Sequence, residues 1–218
     1  MTPEWFERVC LSALGHRTSQ EQTYDLARLV LQRGVPGDLV ECGVYAGASC
    51  ALMARAIMDV VPEIGWGQEY TLTHLWTGPR VHLFDSFQGV PLAGPHDSEL
   101  AHKSAGEAAC SLEGVKANMR AWGIPDELLV YHPGWFMETV PLVTGNAAGS
   151  CTGGPIREIA LLRLDGDLYE STRVCMEHLY RLVSKGGYII VDDYDLSGCR
   201  KAVHERVMPA PIAWRKWD

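Results

Sequence analysis

The sequence predicts a doubly wound α/β domain whose sheet is mostly parallel, with helices on both faces. Two observations carry this. Short apolar runs of strand length recur at 39–42, 81–84, 128–131, 159–164 and 188–191, and stretches with apolar residues at helical spacing separate most of them. The runs also end in acids or glycine-bearing turns, at Glu41, Asp85, Gly134, Asp165 and Asp192. Crossover helices make successive strands parallel, so these ends gather at one edge, where open α/β sheets bind ligands.

Residues 3–14 read as a short helix and 19–33 as a better one, with Leu26, Leu29, Val30 and Arg33 along one side and Gly34 beyond its end. Together they make a helical extension over 1–34. After the Val35-Pro36-Gly37 turn comes the strand 38–43, then a glycine-bearing turn through Tyr45, Gly47 and Ser49 into a helix ending near residue 60. Such a turn lets a ligand approach the backbone and meet free helix N–H groups. It lacks the dinucleotide fingerprint, so a tight structural turn explains it equally well. Glu41 favours the ligand reading, because a carboxylate at a strand end can accept from the ribose or amino-acid part of a nucleoside ligand, whereas an idle charge there is costly.

Residues 59–80 read as an irregular connection. The next strand, 81–84, delivers Asp85 and Ser86 to the same edge, where an acid binds ribose hydroxyls in nucleotide-type folds. Asp85 follows Gly43 at about twice the roughly 20 residues of a simple unit, so 59–80 is an insertion. Residues 90–109, rich in Pro, Gly, His and acids, form a loop long enough to face a substrate. A helix over 111–122 and a strand over 128–131 lead to Gly134, Trp135 and Phe136, an aromatic pair placed to flank an adenine or simply to pack on the surface. The composition of 144–155 reads as a flexible loop, 198–207 as a helix, and 211–217 as a last extended segment.

The richest chemistry lies over 157–195. Two apolar runs, both read as buried strands, flank a helix over 170–184 whose face carries Cys175, Leu179 and Leu182. The first delivers Asp165 and Asp167, the second Asp192 and Asp193. Four carboxylates this close must share protons or hold a cation. Short Asp side chains without nearby Cys or His at a zinc spacing suit Mg²⁺, Mn²⁺ or Ca²⁺, with Asp165, Asp192 and Asp193 as ligands. The plainer alternative has Asp167 capping the helix, with Glu170 completing a capping box.

The composition bounds the function. A chain of 218 residues, 47% hydrophobic and 21% charged, fits one domain over 1–218 with a full core. A net charge of -8 excludes nucleic acid or an anionic membrane as the main partner. With no long apolar run and no signal-like N-terminus, a cytoplasmic protein is expected. The 7 cysteines are scattered without a C-x-x-C pair and read as reduced thiols, while His96 and His102 read as solvated loop residues.

At VPGDLVECGVYAGAS, FDSFQGVP, PGWFMETVP, LLRLDGDLYEST, SKGGYIIVDDY and GCRKAV, in that order over 35–203, the chain resembles the TylF-type macrocin O-methyltransferases. These are class I, Rossmann-like, metal-dependent S-adenosylmethionine enzymes that tailor natural-product sugars. The resemblance implies S-adenosylmethionine at Glu41, Gly43 and Tyr45, with Asp85 and Ser86 near its ribose. Ser49, Gly134, Trp135 and Asp165 complete the cofactor candidates. It also implies Mg²⁺ at Asp165, Asp192 and Asp193, Asp167 as general base, a hydroxyl acceptor such as a glycosylated natural product, and a homodimer or larger assembly. The acceptor could equally be a catechol, aglycone or polyol, since a vicinal diol serves the metal as well. Ala46 departs from the family's usual arginine. A haloacid dehalogenase-like phosphatase shares the Asp-x-Asp pattern, but its fold needs more chain between Asp165 and Asp192.

Overall fold

The structure, a computed structural model, describes residues 3–61, 78–144 and 154–207. Two helices, α1 (Glu4–Cys10) and α2 (Arg17–Gln32), precede the first strand, β1 (Asp38–Cys42). Then follow α3 (Ala48–Val60), β2 (Val81–Asp85), α4 (Leu112–Ala121), β3 (Leu129–Pro133), α5 (Phe136–Thr144), β4 (Ile159–Leu164), α6 (Tyr169–Leu179), β5 (Val183–Val191) and α7 (Ser197–Val207). The five strands pair in parallel in the order β3-β2-β1-β4-β5. The chain winds outward from β1 through β2 to β3, then returns to β4 beside β1. That reversal leaves a crevice beyond the paired ends Cys42 and Leu164, the switch point where such sheets take ligands.

Two apolar layers cover the sheet. Residues of α1, α2, α3 and α4 pack on one face, and those of α5, α6 and α7 on the other. The central strand β4 is buried at every position, Arg163 included, as expected of a largely apolar strand covered on both faces. Helix α3 carries apolar residues almost all round and is correspondingly engulfed. Its alanines let α2 approach, and this sets the inward face of α2 as Gln20, Thr23, Ala27, Val30 and Leu31. The face predicted through Leu26, Leu29 and Arg33 is therefore rotated, and Arg33 is exposed. Gly34, at φ 63°, ends α2 as foreseen: its N–H bonds to Leu31 O and that of Val35 to Val30 O.

Four further differences concern single elements. The helix over 170–184 stops at Leu179, and a tight turn over Tyr180–Leu182 leads into β5. This strand begins earlier than predicted, bulging around Gly186 and Gly187 between the pairs Ile159 with Val183 and Leu161 with Tyr188. Strand β5 is also only half-buried rather than buried, because it forms the edge of the sheet among the described residues. Helix α5 had no sequence signal: it is 9 residues long and contains Pro141, ordinarily a breaker. Most of the 59–80 connection and of the 144–155 loop, and all of 211–217, lie outside the described residues. Among the described residues no helix is long and apolar enough to cross a membrane.

Candidate active site

A cavity of about 540 Å³ opens at the carboxyl edge of the sheet, within the range of small-molecule sites. The glycine turn, Asp85 and Ser86, the 90–109 loop, Trp135 and Phe136, and all four predicted acids line it. Ala13, Leu14, Gly15 and Gln20 add a wall from the N-terminal segment.

The turn after β1 is shaped by backbone proximity. Gly43 sits at φ 98°, and a Cβ there would fall 1.6 Å from the Asp165 carbonyl oxygen, so only glycine lets β1 and β4 end side by side. Tyr45 is left-handed at φ 48°. Asp85 holds this strained turn: its Oδ2 accepts from the N–H groups of Val44 (2.7 Å) and Tyr45 (3.2 Å), and its Oδ1 from Phe87 N–H at 2.6 Å. Gly134 N–H donates to Asp85 O at 2.9 Å, tying the ends of β2 and β3. Gly134 itself does not line the cavity, whereas Trp135 does.

Glu41 differs from its expected placement. It is fully buried and lies behind the cavity wall, accepting from the Ser49 hydroxyl and the Cys50 thiol on the first turn of α3 and pairing with Arg163 at 2.8 Å. Burial pushes its pKa up to about 7 against the pull of Arg163. Its charge is answered from inside the protein, so a ligand meets Ser49 on the wall and not Glu41.

The acids do converge: ligand oxygens of Asp165, Asp192 and Asp193 lie within 4.8 Å of one another. Each carboxylate is held by protein through one oxygen. Arg163 Nη1 binds Asp165 Oδ2, Arg163 Nη2 (2.8 Å) and the Ser19 hydroxyl (2.7 Å) bind Asp192 Oδ1, and Asp167 N–H binds Asp193 Oδ2 at 2.8 Å. A set of hard oxygens with one side anchored fits Mg²⁺ or a similar cation. Burial, reinforced by neighbouring carboxylates, raises Asp193 to about 8 and Asp167 to about 6; burial also raises Asp165 despite Arg163.

Asp167 is not a helix cap. Leu168 is the N-cap of α6 and makes no side-chain cap bond, while Glu170 pairs with Arg173 at 2.9 Å. The cap comes from afar, since Asp97 Oδ1 accepts from Tyr169 N–H (2.8 Å) and its Oδ2 from Gly94 N–H (2.8 Å), pinning the long loop to α6. His96 beside it packs against Tyr169 with ring centroids 4.4 Å apart, and it remains exposed. Replacing Asp97 by Ala is expected to destabilise the fold by about 0.5–2 kcal/mol and to loosen this cavity wall. Urea unfolding together with proteolysis within 90–109 checks both.

Three residues that hold the acids or the cavity wall were not picked out from sequence: Arg163, Ser19 and Asp97. Arg163 had a signal, a lone cation inside an apolar strand, which burial forces to find acids. Ser19 and Asp97 had none, since their partners are distant in the chain.

Two curated relatives are similar to this chain. The 8-demethyl-8-(2,3-dimethoxy-alpha-L-rhamnosyl)-tetracenomycin-C 4'-O-methyltransferase of Streptomyces olivaceus is 40% identical over 181 residues, covering 81% of this chain and 60% of the relative. The demethyldecarbamoylnovobiocin O-methyltransferase of Streptomyces niveus is 39% identical over 185 residues, with the same coverage. The chain thus spans about three fifths of the length of these relatives. Among solved structures, the O-methyltransferase NovP superposes with a TM-score of 0.72 at 34% identity, covering 90% of this chain and 73% of that one, and the sheet is the Rossmann-like one of class I O-methyltransferases. With residues 4–212 matching the family as a whole, the chain belongs to the macrocin-O-methyltransferase (TylF) family.

Proposed function

We propose that the chain transfers a methyl group from S-adenosylmethionine to a sugar hydroxyl of a glycosylated natural product, with a hard divalent cation such as Mg²⁺ at Asp165, Asp192 and Asp193. The carrying observation is that one cavity joins the glycine turn at the β1 end to the acid cluster at the β4 and β5 ends. Family membership leaves the phosphatase alternative without support.

When bound, S-adenosylmethionine supplies an electrophilic methyl and the divalent ion acidifies the acceptor hydroxyl as a Lewis acid. The chain's own residues do the rest. The backbone at Gly43 and Tyr45, with Ser49, would receive the donor, Asp85 and Ser86 would face its ribose end, and Trp135 would border the adenine. Asp167, on the wall and without a paired cation among the described residues, takes the hydroxyl proton. Holding both reactants in line in one cavity contributes up to roughly 7–11 kcal/mol at the limit.

The rim favours an amphipathic acceptor. Leu14, Leu92 and Met137 line the cavity yet stand 69%, 86% and 62% exposed, an apolar mouth above an acidic floor. A sugar would reach the acids while an apolar aglycone covers the rim. Leu92→Asp is expected to raise KM for such an acceptor by about tenfold, from the lost apolar burial, with kcat nearly unchanged. An equal KM in steady-state kinetics would remove Leu92 from acceptor binding.

The deciding experiment titrates S-adenosylmethionine into the protein by calorimetry, then follows S-adenosylhomocysteine release with glycosides and simple diols, with Mg²⁺ or with chelator. Cofactor binding with turnover only in the presence of metal supports the reading. No cofactor binding under either condition defeats it.

A further inference from the structure

Arg163 faces no ligand and is absent from the cavity wall, yet it touches both halves of the site. It is 1% exposed, in a strand whose other residues are all apolar. Its guanidinium meets three carboxylates delivered by three adjacent strands: Glu41 of β1 at 2.8 Å, Asp165 after β4, and Asp192 after β5 at 2.8 Å. It does so through Nη1 and Nη2; Nε is buried without a partner.

The contacts beyond these acids point in opposite directions. Glu41 continues to Ser49 and Cys50, which open α3 directly after the glycine turn. Asp192 continues to Ser19 of α2, whose hydroxyl shares the oxygen that Arg163 holds. An unbroken polar chain therefore runs from the donor wall, through one guanidinium, to two acids of the cluster. Mere stability does not call for such a group, since apolar residues of like volume often replace a buried ion set without loss. A lysine could not copy it, because a single ammonium lacks the planar fork that reaches several carboxylates at once.

We infer that Arg163 is a positioning residue that couples the donor pocket to the acid cluster, so that occupation of either one strengthens binding at the other. By fixing one oxygen of Asp165 and one of Asp192, it leaves the other oxygen of each to face a cation. By holding Glu41, it fixes Ser49 on the donor wall. The inference rests on the methyltransferase reading, and its test separates the two.

S-adenosylhomocysteine, which lacks the sulfonium charge, is titrated by calorimetry into the full chain with chelator and then with Mn²⁺. In the wild type, Mn²⁺ is expected to tighten binding by about fivefold or more, the lower range of measured couplings. Reciprocally, S-adenosylhomocysteine should tighten Mn²⁺ binding, followed by electron paramagnetic resonance, by the same factor. In Arg163→Lys the factor should fall to within about twofold of unity, although each ligand still binds alone. A purely structural arginine would lower Tm and leave the factor unchanged. Glu41→Gln, which weakens the donor-side arm, should lose the coupling too, and it carries the test if Arg163→Lys does not fold. A folded Arg163→Lys with wild-type coupling, or a wild type that binds both ligands without coupling, overturns the inference alone. A wild type that binds no S-adenosylhomocysteine under either condition overturns the methyltransferase reading and this inference together.

Discussion

Asp167→Asn is expected to lower kcat by about 10²–10⁴-fold, the usual contribution of a positioned general base. Donor affinity should stay within about twofold, while metal affinity should fall less than turnover does, because the Asp167 carboxyl also bonds Asp193 of the acid cluster. The side chain caps nothing; Asp167 donates its backbone N–H to Asp193 at 2.8 Å, and its carboxyl bonds that of Asp193, a contact the amide of Asn can keep as a donor. Its φ of 59° is left-handed, a conformation that Asn tolerates better than most residues. What is removed is the proton acceptor. Burial and the charge of Asp165 raise Asp167 to about 6, a basicity that can take a proton near neutrality and is lost below that pH. A cation on Asp165, Asp192 and Asp193 would offset the charge that raises Asp167, so the acid limb of the metal-loaded wild type should lie below pH 6. An Asp167→Asn enzyme turning over within about threefold of wild type would return Asp167 to a structural role.

Much of the sheet and of its acids was legible because both are written locally. An apolar run such as 159–164 declares a buried strand, and the carboxylates after it need only the rule that parallel strands end together. What escaped was set by contacts between distant segments. The inward face of α2 includes Gln20 and Thr23, polar residues that a hydrophobic period assigns to solvent, because the helix is oriented by its fit against α3. The cap of α6 comes from Asp97, which no local capping box reveals. Glu41 looked like a ligand because its strand end faces the crevice, but the side chain points into the protein, where Arg163 waits. In each case an apolar or acidic pattern told where a residue lies, and the partner across the fold decided what it does.

Stability of the metal-free protein should fall as pH rises from 6.5 to 8. Asp193 and Glu41 are raised to about 8 and about 7 in the fold, chiefly by burial, while in the unfolded chain such acids titrate near 4. The folded state therefore binds more protons than the unfolded one across this window, and stability declines with pH. His132 works the other way: buried and pushed down to about 3, it makes the fold more stable as pH rises, but only up to its unfolded value near 6.5. Above that pH the acids act unopposed. A loss on the order of 2 kcal/mol follows from 1.36 kcal/mol per pH unit, which lowers Tm by roughly 4–8 °C for a domain of this size. Mg²⁺ or Mn²⁺ should reverse the trend, because a cation binds the ionised cluster of the fold and competes with its protons. Its stabilisation should accordingly be larger at pH 8 than at pH 6.5. Asp193→Asn should flatten most of the metal-free slope. A Tm indifferent to pH over this range, or raised equally by the ion at both ends of it, would mean that the carboxylates neither share protons nor hold a cation.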